Sequence, residues 1–92
     1  MKEIQDFFKM FGARSAIEIL EFLGDHGEAH HKEMLEFVQL TTLNKRLRNL
    51  VRYGLVQHHL ERSERKTEWY EITEKGRKVL YHVKELVALT QT

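Results

Sequence analysis

Ile4, Phe7, Phe8 and Phe11 fall at i, i+3, i+4 and i+7, the spacing that gathers side chains on one stripe of a helix. A helix is therefore predicted over about 2–11, with Gly12 ending it. Ser15-x-x-Glu18 has the form of a capping box, and Ala16, Ile17, Ile19, Leu20, Phe22 and Leu23 follow as a broad apolar face that stops at Gly24. This predicts a second helix over about 14–24, central to the core. After the turn "GDHGEA", Met34, Leu35, Phe37 and Val38 share one side of a short helix over about 30–38. "QLTT" then makes a turn, and Thr41 or Thr42 is the expected N-cap of a helix over about 41–53, which Gly54 closes as the C′ residue.

From Leu55 onward the period changes. "LVQHHLE" and "KTEWYEI" are strand-like stretches on either side of the polar "RSER", which predicts a β-hairpin over about 55–73. Strict alternation puts Trp69 and Tyr70 on opposite faces of the hairpin, so one of the two is turned away from the main core. Thr73-Glu74 supplies a cap and a first-turn acid for a last helix over about 74–89, along which Val79, Leu80, Val83, Leu86 and Val87 repeat at three- and four-residue intervals. The fold class is mainly α with a small β-hairpin (α+β). With no internal repeat and no linker, residues 1–92 are expected to form a single domain.

The helix over 41–53 has a second side. Turning about 100° per residue from Leu43, the residues Leu43, Leu47, Leu50 and Val51 gather near a direction of roughly 25°, which is the expected buried side. Opposite it come Thr41, Thr42, Lys45, Arg48, Asn49 and Arg52, each able to donate a hydrogen bond to a phosphate or a base edge. Arg46 lies at the boundary, where its stem can cover apolar surface while the guanidinium reaches out, and Asn44 sits on the opposite flank near the core; both rank lower. Twelve helical residues span roughly 18 Å and are about 10–12 Å thick, dimensions that fit the major groove of B-DNA. The hairpin tip adds Arg62, Arg65 and Lys66 as a second cationic element suited to phosphates.

The order of elements, with "TLNKRLRNLVRYGLV" followed by "WYEITEKGRKVL", resembles the winged helix-turn-helix family of MarR, ArsR, HxlR and PadR types, and small archaeal winged-helix dimers. The similarity spans about residues 13–89. Its most specific pieces are Leu47, Leu50, Gly54, Leu55 and Val56, and then Tyr70, Ile72, Thr73, Glu74, Lys75 and Gly76, which are mostly fold-making residues. The resemblance implies that the helix over 41–53 enters the major groove of double-stranded DNA, that the wing at 61–67 touches the backbone, and that the terminal helices form a two-fold dimer. The expected interface is Ile4, Phe7, Phe8, Phe11, Val83, Leu86 and Val87. The implied function is a sequence-specific transcriptional regulator, a repressor by preference. The alternatives are a chromatin-like architectural DNA-binding protein and a winged-helix protein-interaction module.

Composition sharpens this picture. The formal net charge of the 92 residues is only +1, yet residues 41–66 hold seven Lys/Arg against two acids, and the rest hold eight against twelve. A polyanion would meet the middle segment. A chain this short buries a modest share of its surface, so a second subunit would add stability. The absence of cysteine excludes a disulfide framework, a thiolate metal site and a cysteine nucleophile. His30-His31 and His58-His59 are adjacent pairs that diverge by about 100° on a helix or to opposite faces of a strand, so no metal site is expected. Neither a cofactor nor catalysis is expected, since no Gly-rich phosphate loop or zincin motif is present. "MKEIQDFF" has an acid pair and no apolar signal core, and no run is long enough for a membrane span, so a cytoplasmic location is expected. A small-molecule effector is not legible.

Overall fold

The computed structural model describes residues 1–91. Its elements are α1 (Lys2–Phe11), α2 (Arg14–His26), β1 (Glu28–Ala29), α3 (His31–Met34), α4 (Leu40–Arg52), β2 (Val56–Arg62), β3 (Lys66–Ile72) and α5 (Glu74–Leu89). The strands form an antiparallel sheet in the order β1-β3-β2. Ile19, Leu20 and Leu23 of α2 have no exposed surface. They meet Leu43, Leu47 and Leu50 of α4 and, on the sheet side, Val56 and Ile72. The apolar face read for α2 is thus the centre of the core.

Gly24 does not end α2. A Cβ there would come within 2.5 Å of Leu80 Cδ2, so the glycine lets α5 approach while the helix continues for two more residues. Termination falls instead to Gly27, at φ +83°, whose N–H donates to Leu23 O at 2.7 Å. The Ser15-x-x-Glu18 capping box is also overturned, because Ala13 is the N-cap and Ser15 lies inside the first turn. Its hydroxyl accepts from Arg46 Nε at 3.1 Å, while Glu18 pairs with Arg14 at 2.8 Å.

The third helix is a single turn rather than the expected 30–38. His30 is its N-cap, with its backbone N–H donating to Glu33 Oε1 at 3.0 Å, and the chain then leaves helical geometry so that Met34 and Val38 are buried while Leu35 and Phe37 stay outside. Neither Thr41 nor Thr42 caps α4, which begins one residue earlier at Leu40 after Gln39. Its end follows expectation: Gly54 has φ +76°, its N–H donates to Val51 O at 2.9 Å, and Leu55 N–H donates to Leu50 O at 3.0 Å. Those two bonds make a Schellman motif. Thr73 Oγ1 accepts from Gly76 N–H at 3.0 Å and donates to Gly54 O at 2.6 Å, tying the start of α5 to the end of α4.

Strand β1 has no signature in the sequence, since two residues carry no period. It exists through its pairing with β3, Glu28 opposite Glu71 and Ala29 opposite Tyr70. In α1 the aromatic stripe divides. Phe11 is buried, Phe7 stacks on it with ring centres 5.2 Å apart and meets Tyr53 edge-on, and Ile4 and Phe8 remain more than half exposed.

Candidate nucleic-acid interface

Leu43, Leu47 and Leu50 turn inward from α4, which leaves Thr41, Asn44, Lys45, Arg48, Val51 and Arg52 exposed. These outward residues centre on Arg48, so the exposed face is rotated by roughly 60° toward the sheet from the one expected. The cause lies on the other flank. Arg46 is held by Ser15 of α2, and Lys45, Arg46, Asn49 and Arg52 border a cleft of about 410 Å³ whose far wall is Asp6, Lys9 and Met10 of α1. Arg46 and Asn49 are consequently half-buried, and Thr42 is half-buried as well. Asn44, ranked low from the sequence, is exposed, and Val51, expected in the core, is not buried. Helix rotation alone could not place α1, and so could not foresee which flank would be covered.

On the sheet side, Asn44, Leu47, Arg48 and Val51 line a cleft of about 320 Å³ with His58 and Tyr70. Tyr70 shares a face with buried Ile72, packs flat against His58 at 4.7 Å and meets His31 edge-on at 5.1 Å. Burial, with the Glu68 carboxylate adding to it, pushes the Tyr70 phenol above its ordinary value of 10.0. Trp69 points to the opposite face and stacks on His59 at 5.0 Å. The register from Val56↔Ile72 to Arg62↔Lys66 leaves residues 63–65 as the tip, where Ser63 Oγ and Thr67 Oγ1 both donate to Arg65 O. Arg62, Arg65 and Lys66 are exposed there.

Residues 10–92 match the HxlR-like helix-turn-helix family. The chain belongs to that family. It is therefore a DNA-binding transcription regulator. The fold is shared with the transcriptional regulator homologue protein from Pyrococcus horikoshii OT3, at TM-score 0.78 and 24% identity over 99% of this chain and 96% of that one. It is also shared with the reduced form of the transcriptional regulator YodB from B. subtilis, at TM-score 0.80 and 24% identity over 96% of this chain and 88% of that one. A transcriptional regulator from Clostridium thermocellum superimposes at TM-score 0.69 with 21% identity, over 94% and 91% of the two chains. No curated protein matches the sequence.

In this HxlR-like chain the terminal helices carry two kinds of apolar residue. Phe11, expected at a dimer interface, is only 4% exposed and is used by the chain's own core; Phe7 and Val83 are half-buried against it. Ile4, Phe8, Leu86 and Val87 are between 48% and 60% exposed, and all of residues 84–91 lie outside the core. Among the described residues, no cluster of three or more His, Asp or Glu has the arrangement of a metal site. No helix among them is long and apolar enough to cross a membrane.

Proposed function

We propose that this regulator binds a specific duplex sequence as a homodimer and represses transcription by occluding a promoter. The observation that carries the reading is a set of exposed cations on α4 and on the wing tip. Among the described residues, Lys45, Arg48 and Arg52 on α4 and Arg62, Arg65 and Lys66 at the wing tip are exposed and form no ion pair within the chain. Thr41, Asn44, Lys45 and Arg48 are placed for base edges, and Arg52 with the wing cations for phosphates. Thr42, Arg46 and Asn49 support from the α1 flank. The apolar residues left open on α1 and α5 are the proposed two-fold interface, which would bring two copies of α4 to half-sites about one helical turn apart. The protein would act in the cytoplasm.

Binding-site selection from random duplexes tests this. An enriched pseudo-palindrome is the expected result. Retention of duplexes with no enrichment and a steep salt dependence would instead indicate architectural coating of DNA. Failure to retain any duplex at low salt would indicate a protein partner for the same surface, because a DNA reader keeps its nonspecific phosphate attraction.

A further inference from the structure

His31, the first residue of α3, stands between two oxygens. Its Nε2 lies 2.9 Å from Asn44 Oδ1 on α4, and its Nδ1 lies 3.3 Å from Glu68 Oε1 on β3. The other carboxylate oxygen of Glu68 is 3.1 Å from His58 Nε2 on β2. Tyr70 closes the group from the sheet, between the two imidazoles, and His30 Nδ1 reaches Glu68 O at 2.8 Å. Arg48 is the cation on α4 beside Asn44 in the same cleft, and Glu33 is engaged by the His30 backbone.

An oxygen can only accept here, and a neutral ring can serve one of the two, so donation to Asn44 and Glu68 at once takes a hydrogen on both ring nitrogens of His31. Only the imidazolium has two. When the ring is neutral it has one, and the charged carboxylate is the stronger claimant. Nε2 then becomes an acceptor, and the Asn44 amide must turn over to offer Nδ2–H. We infer that Asn44 reads a base edge and that the proton on His31 decides which half of its amide faces the groove. This rests on the proposed DNA-binding role of α4. With His31 protonated, Nδ2 points outward and offers donors to guanine O6 and N7 or thymine O4. With His31 neutral, Oδ1 points outward and accepts from the amino group of adenine or cytosine. His31 is a positioning residue, Glu68 holds its proton in place, and His58 competes for the same carboxylate.

The test pairs two measurements at about pH 5.5 and about pH 8, either side of the range in which histidines titrate. Nitrogen-15 spectra of the free protein should show the His31 ring losing its second proton and the Asn44 side-chain amide shifting with it. Site selection at the same two pH values should show one base pair per half-site changing its preferred identity, by roughly tenfold in relative affinity. Asn44→Ala should remove the preference at that pair at both pH values. His31→Gln, which keeps an amide near Nε2 but cannot titrate, should keep a preference that no longer responds to pH. An unchanged base preference in the wild type across a range where His31 demonstrably titrates overturns the inference, as does a preference that survives Asn44→Ala. A His31 ring with the same protonation at both pH values overturns it as well. If no duplex is bound at all, the proposed function fails and base reading falls with it, while the ring and amide spectra still decide whether the hydrogen-bond switch exists.

Discussion

Arg48 stands at the middle of the outward stripe of α4, whereas Asn49, next to it in sequence, is turned toward the α1 cleft. Arg48→Ala is expected to cost about 1–3 kcal/mol on the selected site and to relax discrimination at one base position, as the removal of base-edge hydrogen bonds does. Asn49→Ala should leave discrimination nearly intact. Competition with single-base variants of the selected duplex separates the two. Tyr70 adds a pH dependence of stability with a definite sign. Its phenol binds its proton more tightly in the folded chain than in the unfolded one, so the contribution is fully present below pH 10.0 and is lost as pH rises through the folded value. Denaturation in the alkaline range should therefore show stability falling less steeply for Tyr70→Phe than for the wild type, and equal slopes would contradict this assignment.

At the scale of elements, the junction between α4 and β2 concentrates the local signals. Gly54 adopts φ +76°, and a Cβ there would meet Lys75 only at ordinary van der Waals distance, so the penalty for alanine is one of backbone conformation rather than space. Gly54→Ala should lower stability by about 1–2 kcal/mol, measured by urea denaturation, without altering base preference in the folded fraction. Leu47 faces the core from the same helix as Arg48 and is 2% exposed. Leu47→Ala should cost about 2–5 kcal/mol through the cavity it leaves, and should reduce DNA binding only in proportion to unfolding. The wing tip behaves as a separate unit: Arg65→Ala or Lys66→Ala should weaken binding to all sequences alike and reduce the salt slope by about one for each phosphate no longer neutralised.

For the whole molecule, the question is what covers Ile4, Phe8, Leu86 and Val87. Phe11, Phe7 and Val83 already serve the chain's own core, which leaves a narrower apolar surface than the stripes of α1 and α5 suggest. Sedimentation equilibrium at micromolar concentration is expected to give twice the chain mass. Replacing Leu86 and Val87 together by lysine should shift the protein to monomer while preserving the helical signal of the fold. A wild type that sediments as a monomer throughout would remove the proposed interface, and with it the two-fold arrangement of half-sites.

The residue pattern by itself determined whatever rests on neighbours a few positions apart. The limits of α1 and α5, the Gly54 stop, the Thr73 cap, the hairpin and its cationic tip are all local in origin, and each was legible in order along the chain. The motifs around Gly54 and Tyr70 also pointed to the family. What the tertiary structure alone decided depends on residues distant in sequence. Gly24 marks the approach of α5, and Ser15 serves Arg46 instead of a cap. β1 is a strand because β3 is beside it. The outward face of α4 moved because α1 and α2 cover one flank and the sheet leaves the other open. Helical period gives the direction of a side chain about its own axis, but exposure is set by which elements the chain later brings against that axis. The placing of His31 between Asn44 and Glu68, drawn from three separate elements, could be known only from the assembled fold.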